Sequence, residues 1–152
     1  MKTKVYKRPG YNKKITTDVV EIIRSVSGKW FTEEVQGYVP NDMKFQDLIA
    51  IYDQRKMKGF IIYTCIDGKI VMMLMAIRSE DQRKGYGAYL YSKFEEMIRR
   101  QGFSIIMLQT IPQEVNENYK GTIEFYEKQG FKIVKHYTEL WEHGAVELEK
   151  AI

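Results

Sequence analysis

The chain has 152 residues, with 44% hydrophobic residues, 29% charged residues and a net charge of +4. These values fit a folded domain and exclude global disorder, a collagen-like repeat and a disulfide scaffold, the last because Cys65 is the only cysteine. The longest apolar run, Ile70 to Ile77, is too short to span a bilayer, and Met1-Lys2-Thr3-Lys4 leads into no apolar segment of the kind a secretory signal needs. The expectation is one domain over residues 1–152, off the membrane, in a reducing cytoplasmic setting, with Cys65 packed in the core.

Residues 3–8 read as a short strand. Its basic neighbours (Lys2, Lys4, Lys7, Arg8, Lys13 and Lys14) read as the solvated edge of that strand rather than as a nucleic-acid arm, since no aromatic stacking pattern follows them. Thr16-Thr17-Asp18 offer helix caps, and Val19, Ile22, Ile23 and Val26 recur at helical spacing, with Gly28 as the stop. Residues 29–44 read as irregular or short helical structure. Three strands follow: Leu48 to Tyr52, Phe60 to Ile66 closed by the turn Asp67-Gly68, and Ile70 to Ile77. The last is continuously apolar, as expected of a central strand buried on both faces, with Met72, Met73 and Met75 as core filler. A helix from about Gly87 to Gly102 buries Leu90, Phe94, Met97 and Ile98. Strand Ser104 to Thr110, a short helix Thr122 to Gln129, and strands Phe131 to Trp141 and Ala145 to Ile152 complete the chain. The order β-α-(α)-β-β-β-α-β-α-β-β predicts an α/β domain with a mixed sheet and a central strand–helix–strand crossover.

The segment between the buried strand and its following helix carries the chemistry. Gln82-Arg83-Lys84-Gly85-Tyr86-Gly87-Ala88 places two glycines where the backbone must turn tightly and approach a ligand closely. Consecutive N–H groups at a helix N-terminus favour an anion, and a pyrophosphate is the natural guest. Leu90 stands where a dinucleotide fingerprint needs its third glycine, and the Gly-Lys-Ser/Thr ending of a nucleoside-triphosphate loop is absent. Redox dinucleotide chemistry and nucleotide hydrolysis therefore lose ground.

Ile77-x-Ser79-Glu80-Asp81-Gln82-Arg83-Lys84-Gly85-Tyr86-Gly87-Ala88 resembles the acetyl-CoA motif Gln/Arg-x-x-Gly-x-Gly/Ala of the GNAT N-acetyltransferase superfamily. Tyr119-x-x-Thr122-x-x-Phe125-Tyr126-Glu127-Lys128-x-Gly130-Phe131 resembles that family's second block, with Tyr119 where asparagine is common. The resemblance implies an acyl-CoA N-acyltransferase fold whose central parallel strands splay into a V-shaped cleft for acetyl-CoA. It implies that the cofactor pairs with the backbone at Ile77 and that the amides of Arg83, Lys84, Gly85, Tyr86, Gly87 and Ala88 hold the pyrophosphate. Gln82 belongs to the same loop, and Tyr119 and Thr122 are further cofactor contacts to expect. Tyr126 matches the family tyrosine that gives a proton to the departing thiolate; packing beside Phe125 in the core is the alternative.

Transfer to an amine requires the free base. Deprotonating an ammonium of pKa near 10.4 costs roughly 4–5 kcal/mol at pH 7 without help. The strand Ile70 to Ile77 carries no acid, so the glutamate base of the family's histone-modifying branch has no counterpart there. Glu33, Glu34, Glu139, His136 and His143 are the remaining candidates, and Trp30, Phe31, Tyr38 and Trp141 are candidate walls for the acceptor. No grouping has metal-ligand spacing. The expected activity is acetyl transfer from acetyl-CoA to a primary amine of a small molecule or peptide, by direct attack in a ternary complex. A catalytically silent CoA-binding domain of the same fold is the alternative, and a homodimer through the late strands stays open.

Overall fold

A computed structural model describes residues Met1–Ile152. The elements are β1 (Lys2–Tyr6), α1 (Lys13–Val26), α2 (Glu34–Asp42), β2 (Asp47–Asp53), β3 (Lys56–Ile66), β4 (Lys69–Ile77), α3 (Tyr86–Arg100), β5 (Ile105–Thr110), α4 (Asn118–Lys128), β6 (Lys132–Tyr137) and β7 (Ala145–Ala151). Their order is the expected one. The strands form one mixed sheet in the order β1-β2-β3-β4-β5-β7-β6, antiparallel throughout except for β4 against β5. The crossover through α3 makes that one parallel pair.

Period-two alternation along β2 and β3 puts apolar side chains on both faces, so both must be covered. Leu48, Ala50, Phe60 and Ile62 pack under α1 and α2, with Val19, Ile22 and Ile23 of α1 fully buried. Ile49, Ile51, Ile61 and Tyr63 pack on the opposite side with Leu90, Tyr91, Phe94 and Ile98 of α3. β1 is the sheet edge and carries Lys2 and Lys4, in keeping with the reading of the basic residues there.

Several boundaries move for local reasons. Helix α1 starts at Lys13 because Asn12 is its cap, its side chain accepting from the Ile15 N–H at 3.2 Å; Thr16, Thr17 and Asp18 lie inside the helix. Strand β3 begins at Lys56 because Gln54 and Arg55, with φ of 52° and 65°, make a tight two-residue turn. Helix α4 begins at Asn118, whose N–H is taken by the Asn116 side chain, a full turn before the expected start. Cys65 is not core: it is exposed, together with Ile66, at the tip of the β3–β4 hairpin. Strand β4 is not buried on both faces along its length, since Met73 is 44% exposed and Leu74 and Met75 are half-buried.

Gly59 of β3 pairs with Ile77 at the end of β4, and a Cβ there would stand 2.7 Å from the Ala76 carbonyl oxygen and 2.4 Å from Ile77 Cδ1. A strand-interior glycine marks close backbone approach. Gly59→Ala should therefore destabilise the fold by about 1–3 kcal/mol, read as a shift in the urea midpoint. An unchanged midpoint would show that β4 moves away freely.

Candidate functional site

The sheet opens where β4 and β5 part. The two strands are paired only at Ile70–Ile106, Val71–Met107 and Met72–Leu108. On the other edge of β4, Ile62 faces Leu74 while Tyr63 faces Met72, so Met73 is an extra residue in the ladder. Such a bulge bends its strand, and this one sits at the point of divergence. Met73 and Met75 line the resulting gap, which explains why an apolar strand leaves them uncovered. Beyond the split lies a cleft of about 680 Å³, walled by Met75 to Ile77, by the loop from Asp81 to Ala88, and by α4.

The loop is arranged to present its amides. No group of the chain accepts a hydrogen bond from the N–H of any residue from Arg83 to Ala88; the first amide of the helix to be used internally is that of Tyr89, to the Gly85 carbonyl at 3.1 Å. Gly85 has φ of 88° at the helix cap, and Arg83 adopts φ of 62° without being a glycine. That conformation costs a non-glycine residue on the order of 1 kcal/mol, so the surrounding loop must hold it. Gln82 donates from its side-chain amide to the Ile77 carbonyl at 3.2 Å, tying the loop to the strand end. Tyr86 donates its hydroxyl to Asp53 at 2.8 Å, which fixes the start of α3 against β2 and raises the Tyr86 phenol above its ordinary range. Asp81 is buried beneath the loop, with Lys58 of β3 at 3.3 Å and Lys84 at 3.8 Å; its Oδ2 has no partner.

Helix α4 forms the opposite wall. Its early start places Tyr119, Thr122 and Tyr126 at i, i+3 and i+7, on one face toward the split. Thr122 and Tyr126 reach both the main cleft and a smaller pocket of about 100 Å³ at the split; Tyr119 lines only the smaller pocket. Tyr126 is 8% exposed, and burial raises its phenol above the ordinary value of 10.0. Its hydroxyl has no hydrogen-bond partner in the chain, and its ring stacks edge-on with Phe125 and Phe131. The side chain is thus both part of the core and open to the cleft.

Burial pushes the phenols of Tyr63 and Tyr119 up to about 12. A raised phenol means that the fold binds the proton more tightly than the unfolded chain does. The associated stability is present below pH 10 and is lost as pH rises toward 12, at about 1.4 kcal/mol per pH unit for each phenol. Alkaline unfolding followed by circular dichroism should coincide with the late phenolate absorbance; titration of every tyrosine near pH 10 with the fold intact would contradict this.

Of the residues expected at the site, Ile77, Gln82, Arg83, Gly85, Gly87, Ala88, Thr122 and Tyr126 line the main cleft. The side chains of Lys84 and Tyr86 do not: the first turns to Asp81 and the second to Asp53, so what these two residues offer is their backbone amides. Trp30 and Phe31 are cleft walls, whereas Tyr38 and Trp141 are surface residues lining none of these cavities. Glu33 lines a neighbouring groove; Glu34, Glu139, His136 and His143 do not approach the split. Sequence reasoning missed Asp81, Gly121 and Asn118. Gly121 leaves the middle of the α4 wall without a side chain, and Asn118 donates to the Lys29 carbonyl at 3.2 Å, tying the α1–α2 connection to α4. A glycine inside a helical pattern was the available signal for Gly121.

A sequence model described as an acetyltransferase (GNAT) domain matches residues 45–133, more than half of the chain. Among solved structures, a protein from Desulfovibrio desulfuricans described as an acetyltransferase of the GNAT family is similar over 99% of this chain and 98% of its own, at 16% identity and a TM-score of 0.82. The ribosomal-protein-S18-alanine N-acetyltransferase from Escherichia coli is similar over 99% and 94%, at 14% identity and a TM-score of 0.78. An aminoglycoside 6'-N-acetyltransferase complexed with coenzyme A is similar over 99% and 97%, at 18% identity and a TM-score of 0.76. A search of curated proteins finds no match. No helix is long and apolar enough to cross a membrane.

Proposed function

The chain belongs to the GNAT family of acetyltransferases, and from that premise we propose that it moves an acetyl group from acetyl-CoA to a primary amine by direct attack within a ternary complex. It acts as one domain over residues 1–152, and its single unpaired cysteine suits a reducing, cytoplasmic setting. The observation that carries this reading is the unbroken run of unpaired amides from Arg83 to Ala88 at the mouth of a gap between two parallel strands. An anion is the natural partner for amides so arranged at a helix N-terminus, and the pyrophosphate of CoA is one that also extends an arm toward the gap. Arg83 lines the cleft beside these amides and adds positive charge.

The unpaired edge of β4 beyond Met72 offers backbone groups to the amide-bearing arm of the donor, and the thioester then lies at the split. Backbone N–H groups beside the Met73 bulge, at the same split, are the donors for a developing oxyanion. Tyr126 reaches the same pocket with its proton held by burial, and it donates to the departing thiolate. The walls of that pocket are aromatic and aliphatic side chains, among them Trp30, Phe31, methionines and leucines, with a few uncharged polar groups. Desolvation there favours the neutral amine, which is the attacking form. Titration calorimetry with CoA, followed by thiol release in an amine panel, tests the proposal. CoA binding with acetyl-CoA turnover on at least one amine supports it. Binding without turnover favours a silent CoA-binding domain, and no binding removes both.

A further inference from the structure

Three cavities meet at the Trp30–Phe31 segment: the main cleft, the pocket at the split and a groove of about 550 Å³ on the outer side of that segment. The split pocket has no charged residue in its walls. The outer groove holds one acid, Glu33, against two bases, Arg24 and Lys29. Arg24 lies in the last turn of α1, and its Nε donates to the Gln36 side chain at 3.3 Å. Lys29 lies over the Trp30 ring at 4.6 Å from its centroid. The only other acid in the three cavities, Asp81, is buried on the loop side and already has Lys58 beside it.

This charge pattern discriminates among amines. A polyamine or an aminoglycoside brings several ammonium groups, and each needs a carboxylate or open water; like charge at a closed surface costs several kcal/mol. Together the cavities supply one free carboxylate, Glu33, and three bases that repel a second cation: Arg24 and Lys29 in the outer groove and Arg83 in the main cleft. An apolar body is served instead by Trp30 and Phe31, and an anion on its far end by Arg24 and Lys29. The reacting end enters a pocket of about 100 Å³, room for a short alkyl arm rather than a sugar ring.

Resting on the acetyl-transfer reading, we propose that the acceptor is a primary monoamine on an apolar or aromatic body that carries a carboxylate at its far end and no second cation. The substrate of the aminoglycoside-modifying neighbour does not transfer to this chain. An amino acid derivative or the amino end of a small acidic peptide has the required chemistry.

A matched series tests it: phenethylamine, and phenethylamine carrying a para carboxylate or a para trimethylammonium group. All share one reactive amine and differ only in remote charge. The expected order of kcat/KM is carboxylate, then neutral, then trimethylammonium, with about tenfold or more between the extremes. Arg24→Glu, on an exposed helix end away from the CoA cleft, should reverse the order while leaving the calorimetric affinity for CoA unchanged. Equal rates across the series, preference for the cationic member, or an order unmoved by Arg24→Glu would overturn the acceptor assignment. So would acetylation of spermidine or kanamycin with none of the three turned over. Failure to bind CoA would instead bring down the acetyl-transfer reading itself.

Discussion

Tyr126→Phe is expected to lower kcat about a hundredfold while the affinity for CoA and the urea midpoint stay close to their original values. The ring supplies the packing against Phe125 and Phe131, and phenylalanine keeps that ring. Only the hydroxyl is lost, and it has no partner in the chain whose removal would leave a buried group unsatisfied. On the proposed mechanism what disappears is a proton donor at the split, and general acid catalysis contributes about 10²-fold at its lower end. The lower end is appropriate because burial holds the phenol above its ordinary value of 10.0, less well matched to a thiolate than a weaker base would be. The same burial sets the pH profile. The rate should rise with pH as the acceptor amine loses its proton, with no falling limb from Tyr126 below pH 10. Single-turnover measurement of thiol release separates this from product release. An unchanged chemical step would reduce Tyr126 to a core residue.

Gly121→Leu should have the opposite signature, abolishing or weakening CoA binding at least tenfold while making the fold slightly more stable. Gly121 is on the cleft wall of α4, and nothing lies within 4 Å of where its Cβ would be. Leucine therefore meets no clash in the free protein and replaces the poorest ordinary helix former, which is worth about 0.5–1 kcal/mol. Its side chain projects into the cleft, where the proposed complex places acetyl-CoA. Overfilling a fitted site costs about 1–3 kcal/mol, and the tenfold loss corresponds to about 1.4 kcal/mol within that range. Calorimetry and thermal unfolding of the same variant give both readings. Undiminished CoA affinity would mean that the donor does not run along this wall.

These two residues mark how unevenly the site was legible. The loop from Gln82 to Ala88 and the block around Tyr126 stand out because ligand-facing backbone needs glycine at set places and because a helical face repeats with period 3.6. Both features are local and survive in a linear reading. The extra residue at Met73 does not, because a bulge is defined only by the partner strand it fails to match. An apolar stretch from Ile70 to Ile77 looks the same whether it is sealed in a sheet or lines a gap, so Met73, expected in the core, is exposed, while Met75 packs against the core only in part. Asp81 looked like one acid among many until the fold set Lys58 from β3 beneath it. Cys65 erred in the other direction: its apolar neighbours are those of a hairpin tip that no helix covers.

By itself, then, the amino-acid order determined the succession of elements, the glycine-bearing loop before α3 and the tyrosine helix, all set by interactions between residues close in the chain. Tertiary structure alone decided that β4 and β5 separate after Met72, that Trp30 and Phe31 stand at the opening, and that Arg24 and Lys29 outweigh Glu33 beside it. A cavity is made by what fails to pack, and its charge by side chains from distant segments. Neither property belongs to any stretch of sequence until the chain has folded.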